Sequence, residues 1–180
     1  MTESLSTMII GGARSGKSTF AERLVADSGF APIYVATASV GDGEMEKRIA
    51  LHRARRDESW TTVEEQLDIA SVLLERAGPG RVILVDCLTL WLANLMDAER
   101  DIDHELSTLA GRVSHCAGPV VLVTNEVGLG IVPENRLARA YRDWHGRMNQ
   151  IMADACLRVI LIAAGLPTIL KPTPHSEIRL

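Results

Sequence analysis

Gly11-Gly12-Ala13-Arg14-Ser15-Gly16-Lys17-Ser18 is the stretch on which the reading of this chain turns. It meets the pattern G-x-x-x-x-G-K-[ST] at every position, and its surroundings suit the pattern too. Thr7 to Ile10 before it reads as a strand ending at Gly11. Lys17 to Ser28 after it reads as a helix stopped by Gly29. Glycines let a backbone curl until several N–H groups point at one anion. The helix start adds a positive partial charge. In such a loop Lys17 neutralises the β and γ phosphates of a nucleotide, and the Ser18 hydroxyl serves as a Mg²⁺ ligand.

Outward from this loop, short apolar runs alternate with helical patterns. Strands are expected at Pro32 to Ala38, Arg81 to Asp86 (RVILVD), Val120 to Asn125 (VVLVTN) and Val159 to Ala163, with a short one at Trp60 to Val63. Helical spacing marks Glu44 to Asp57, Gln66 to Ala77, Leu88 to Met96, a segment from Ile102 to Cys116, and Glu134 to Cys156. The last of these carries Leu137, Tyr141, Trp144, Met148, Ile151 and Ala155 on one stripe. The middle strands are apolar at nearly every position, as suits a parallel sheet covered by helices on both faces. The expectation is one α/β domain over residues 1–180, doubly wound, with residues 172–180 as a loose tail.

Composition narrows the function. Lys plus Arg number 19 against 23 Asp plus Glu, a net charge of −4, which disfavours nucleic acid as a partner. Hydrophobic residues at 47% fit a folded globular chain. No apolar run approaches the ~18 residues of a membrane span. The opening MTESLST lacks the features of a secretory signal. Cys87, Cys116 and Cys156 are few and far apart, as in a reduced, cytoplasmic protein.

Two further features bear on chemistry. Asp86 closes an apolar strand, where a carboxylate reaches Mg²⁺ directly or through water; the competing role is capping the helix that follows. Glu44 to Asp57 (EMEKRIALHRARRD) concentrates positive charge in an acidic chain, with Arg48, His52 and Arg56 on one helical face. That segment is either a solvated basic helix or a grip on a triphosphate, in which His52 acts on phosphorus. The guanine-reading N-K-x-D of switch GTPases is absent; Thr124-Asn125-Glu126-Val127 does not fit it.

With GGARSGKS, EMEKRIALHRARR, RVILVDCLTLW and TNEVGLGIVPENRLAR together, the chain resembles the bifunctional adenosylcobinamide kinase / adenosylcobinamide-phosphate guanylyltransferase family, from about Met8 to Lys171. The resemblance implies a P-loop NTPase of RecA-like type with a mostly parallel sheet. It implies phosphorylation of adenosylcobinamide, a corrinoid, by ATP or GTP with Mg²⁺. It then implies transfer of GMP from GTP through a guanylylated histidine, which falls on His52. By the same resemblance, nucleotide contacts map onto Gly11, Gly12, Ala13, Arg14, Ser15, Gly16, Lys17, Ser18, Ala36, Thr37, Ala38, Arg53, Ala54, Arg55, Arg56, Glu64 and Asp86. A homotrimer is implied as well.

The physical reading agrees with these positions. Ala36, Thr37 and Ala38 end a parallel strand, where open α/β sheets bind ligands. Glu64 follows the short expected strand and is either a surface residue or a carboxylate placed to accept two N–H bonds from guanine. Asn125 and Glu126 end another strand, where they either serve substrate or loop order or belong to a helix-entry turn with Gly128, Gly130 and Pro133. Two other readings share Lys17, Ser18 and Asp86: a kinase of another small metabolite, and a nucleotide-gated assembly protein with a RecA-like core. The first leaves His52 idle, and the second implies slow hydrolysis and no covalent nucleotide.

Overall fold

The computed structural model describes residues 5–38 and 58–172. Among them the elements run β1 (Ser6–Gly11), α1 (Lys17–Ala26), β2 (Ala31–Ala36), β3 (Thr61–Glu64), α2 (Ile69–Arg76), β4 (Arg81–Asp86) and α3 (Leu88–Asp97). They continue with α4 (Ile102–Ser114), β5 (Val120–Asn125), α5 (Arg136–Ala155), β6 (Arg158–Ala163) and β7 (Leu166–Lys171). The strands form one sheet in the order β3-β2-β4-β5-β1-β6-β7. Every pairing from β3 to β6 is parallel, and β7 runs antiparallel to β6.

Alternation along the strands builds two cores. Met8, Ile10, Ile33, Val35, Ile83, Val85, Leu122 and Val159 meet apolar residues of α2, α3, α4 and α5 on one face. Ile9, Tyr34, Val82, Leu84, Val123 and Ile162 meet Ala21 and Val25 of α1 on the other. Successive side chains of a strand point to opposite faces, so apolar runs of this kind require cover on both sides. The sheet is therefore doubly wound, as the apolar runs predict.

Local chemistry sets the helix starts. Asp68 accepts from Ser71 N at 3.0 Å, so α2 begins later than the expected Gln66. Asp101 caps α4 by accepting from His104 N, and Asp103 and Glu105 favour its positive end. Asn135 caps α5 through Leu137 N and Ala138 N.

Two expectations need correction. The sequence reading has no strand after Ala163, yet β7 extends the sheet. Ala164 and Gly165, both with positive φ, make the tight turn that returns the chain. Lys171 Nζ then donates to the carbonyls of Ala153 and Asp154, tying the strand to the end of α5. An edge strand lacks a buried face to impose alternation, and it tolerates Pro167. In α5, the expected stripe meets the core at Tyr141, Trp144, Met148, Ile151 and Ala155, but Leu137 is exposed, and His145, Asn149 and Met152 are buried beside the stripe. The expected helix at 44–57 and the tail at 173–180 lie outside the described residues. No helix among those residues is long and apolar enough to cross a membrane. The three cysteines are free.

Candidate nucleotide-binding site

The phosphate loop leaves the carboxyl end of β1, a strand buried along its whole length. A Cβ on Gly11 would lie 2.5 Å from Ile162 O and 2.7 Å from Ser15 Oγ, so only glycine fits. Gly16 adopts φ 98°, and a Cβ there would also press on Gly165 Cα at 3.3 Å. Gly165 N donates to Ser15 O at 2.9 Å, so the β6–β7 turn braces the loop from one side. Glu126 N donates to Gly11 O at 3.1 Å, so the end of β5 braces it from the other. Gly16 is the cap residue of α1 and has no side chain to cap with; the first turn carries no acidic residue. That end of the helix suits an anion. Lys17 is 8% exposed and its Nζ donates to Gly12 O at 2.9 Å, which holds the ammonium across the loop.

Asp86 ends β4, in register with Ala36 of β2 and Val123 of β5. Val123 in turn pairs with Ile9 of β1. Asp86 therefore lies two strands from β1 and near the level of the loop. It alternates with Leu84 and Val82, which belong to the core on the α1 side. Tyr34 Oη donates to Asp86 Oδ2 at 3.3 Å. Cys87 occupies the cap position of α3, and its own side chain makes no capping hydrogen bond. The Ser18 hydroxyl opening α1 and the Asp86 carboxylate are hard oxygen donors, a set that suits Mg²⁺.

Thr37 is fully buried and spans the gap between two strand ends. Its Oγ1 donates to Cys87 O and accepts from Cys87 N, both at 2.8 Å. The side chain thereby locks the peptide that follows Asp86. Asn94 Nδ2, on α3, donates to Thr37 O at 2.8 Å and Gln66 O at 3.1 Å. One amide thus joins the loop after β2 to the loop after β3. Glu64 is exposed and in register with Ala36, and Glu65 N donates to Ala36 O. Ala36, Thr37, Ala38, Glu64 and Asp86 share the carboxyl edge of the sheet with the phosphate loop. His52, Arg53, Ala54, Arg55 and Arg56 lie outside the described residues.

A buried polar network supports this edge, and the sequence reading missed it. Thr89 Oγ1 accepts from Asn125 N and Nδ2, both at 3.0 Å, and lies 3.2 Å from His145 Nε2. Asn149 Nδ2 donates to Asn125 O at 3.0 Å, and Asn149 Oδ1 accepts from Thr124 Oγ1 at 2.8 Å. Tyr141 Oη donates to Thr89 O at 2.8 Å. Burial holds the His145 imidazole below its ordinary pKa of 6.5, against a smaller upward pull from Glu126. Burial and the adjacent Asp86 charge push the Cys87 thiol up to about 11. The available signal was the four-residue spacing of Tyr141, His145 and Asn149, which marks one helical line.

The fold and the loop define a P-loop nucleotide-binding protein of RecA-like type. The RadB recombinase structure shares that fold, with a TM-score of 0.53 at 14% identity over 88% of this chain and 74% of its own. Residues 7–170 match the family described as cobinamide kinase / cobinamide phosphate guanyltransferase, and the chain belongs to that family. The bifunctional adenosylcobalamin biosynthesis protein CobP of Pseudomonas aeruginosa is 51% identical, covering 93% of this chain and 98% of the relative. The corresponding CobU protein of Escherichia coli K12 is 40% identical, covering 91% of this chain and 98% of the relative. The chain is thus an enzyme of cobalamin biosynthesis with kinase and guanylyltransferase activities.

Proposed function

We propose that both activities use the phosphate-loop edge of the sheet, in two steps. First, the hydroxyl of adenosylcobinamide attacks the γ-phosphorus of ATP or GTP and releases the nucleoside diphosphate. Second, a neutral His52 nitrogen attacks the α-phosphorus of GTP. A P–N bond forms, the bond to the bridging oxygen breaks, and pyrophosphate leaves. A phosphate oxygen of adenosylcobinamide phosphate then attacks the same phosphorus. The P–N bond breaks, His52 is restored, and adenosylcobinamide-GDP departs. The observation that carries this reading is the buried Lys17 ammonium held across a braced phosphate loop. It neutralises phosphate charge in either step.

Ser18 and Asp86 are the residues that would hold Mg²⁺, which when bound offsets charge on the phosphate oxygens. Ala36, Thr37, Ala38, Arg53, Ala54, Arg55, Arg56 and Glu64 complete the nucleotide contacts in this reading. The arginines beside His52 in the sequence carry charge that suits a bound triphosphate. They also suit the leaving pyrophosphate. The working unit is a cytoplasmic homotrimer of a one-domain chain.

The test is His52→Ala with radiolabelled GTP. The variant is expected to lose covalent label and guanylyl transfer while keeping kinase turnover. The wild-type label should be released by acid and spared by alkali, as a phosphoramidate is. Acid-labile label on the variant would refute the role of His52.

A further inference from the structure

The phosphate loop is flanked by exposed apolar side chains that folding leaves unused. Leu129 is 91% exposed, Ile131 96% and Val132 60%. They follow the end of β5. Leu166, at 70%, begins β7 on the other flank. Both groups leave the sheet beside β1, because Gly11 is in register with Asn125 of β5 and Ile162 of β6. Glu126 N and Gly165 N each hydrogen-bond a carbonyl of the loop segment, Gly11 O and Ser15 O.

The exposure does not come from a slack segment. Glu126 Oε1 accepts from Gly128 N at 2.6 Å, which fixes the start of the run. Arg139 Nη1 donates to Pro133 O at 3.0 Å, and Asn135 caps α5, which fixes its end. Val127 to Pro133 carries no charge, although Glu126 and Glu134 bound it. An uncharged apolar run held away from the core beside a polar catalytic loop matches a substrate with two unlike parts. One part is a hydroxyl arm that must reach the nucleotide. The other is a large ring with a neutral rim of methyl and amide groups. Cobinamide has both parts.

We propose that Leu129, Ile131 and Val132, with Leu166 on the opposite flank, form the docking surface for the corrin ring of cobinamide. The proposal rests on the family's cobinamide activity. The ring covers these side chains, and its hydroxyl arm extends over the phosphate loop. Nucleotide binding does not use them.

The experiment compares the wild-type chain with Leu129→Ser/Ile131→Ser and with Leu166→Ser. Cobinamide affinity is read by equilibrium dialysis, using the visible absorbance of the corrin. Affinity for a non-hydrolysable GTP analogue and particle mass by light scattering are read in parallel. These exposed positions contribute little to folding, and Ile131→Met serves as a conservative control that should retain affinity. Losing the burial of such side chains is expected to weaken cobinamide binding about tenfold or more in the double variant. Analogue affinity and particle mass should stay unchanged. Cobinamide affinity within twofold of wild type overturns the proposal while leaving the family activity intact. A smaller particle overturns it in favour of a second copy of the chain on this surface. Absence of cobinamide binding by the wild type itself overturns the substrate reading and this proposal with it.

Discussion

Lys17 and His145 are buried polar residues with opposite consequences. Lys17 reaches across the phosphate loop to Gly12 O, where a nucleotide phosphate would compete for the same ammonium. Lys17→Ala is expected to lower both kinase and guanylyl-transfer rates by about 10²–10³-fold, the usual effect of losing a transition-state charge contact. Steady-state assays of the two steps check this, and near-wild-type rates in both would remove Lys17 from the mechanism. His145 is held neutral by burial, with its pKa below 6.5. The unfolded chain therefore binds more protons than the folded one as pH drops through the unfolded value. Stability from this group is present above pH 6.5 and lost as pH falls below it. Thermal melts should fall between pH 7 and about pH 5.5. His145→Gln should flatten that fall, and parallel curves for both proteins would remove the imidazole as its cause.

Elements meet the site through their ends, and α5 is the most consequential of them. Its Asn149 side chain satisfies Thr124 Oγ1 and Asn125 O, next to the turn that braces Gly11 O. Asn149→Leu keeps the volume and removes the partner of both groups, leaving them only the long 3.5 Å contact from Thr124 Oγ1 to Asn125 O. The expected cost is about 2–6 kcal/mol, because each buried polar group left without its partner costs about 1–3 kcal/mol. Urea denaturation checks the value, and a loss under about 0.5 kcal/mol, the scale of an ordinary surface change, would show that the network is dispensable. On the other flank, the β6–β7 hairpin has a local purpose despite its exposed strand. Its Gly165 N–H fixes the Ser15 carbonyl.

For the whole molecule, the sheet order separates β1 from β4 by β5. Lys17 and Asp86 thus belong to different elements, which a bound nucleotide would join. Binding should therefore stabilise the fold globally, by about 2.7 kcal/mol at a hundredfold excess over Kd. For a chain of this size that corresponds to a rise in Tm of about 5–10 °C. Differential scanning fluorimetry with a non-hydrolysable GTP analogue measures it. Lys17→Ala should abolish most of the shift, and an unchanged shift in that variant would place the nucleotide elsewhere.

Some of this was legible in the sequence because its causes are local. The phosphate loop needs glycine at fixed offsets, so Gly11 to Ser18 announces itself. RVILVD and VVLVTN are strands because a sheet covered on both faces requires unbroken apolar runs, and β4 and β5 have the expected bounds. Asp86 was legible as a strand-end carboxylate for the same reason. Tertiary structure decided the rest. β7 is a strand only because β6 offers its edge, so it carries no alternating pattern. The stripe of α5 from Tyr141 to Ala155 was legible, but its buried His145 and Asn149 were not, because they look solvent-facing until Thr89, Thr124 and Asn125 surround them. Thr37 offered no sign of its lock on Cys87, since its partner lies fifty residues away. Short-range steric and hydrophobic rules leave a trace along the chain, whereas a hydrogen bond between distant segments exists only after the sheet has brought them together.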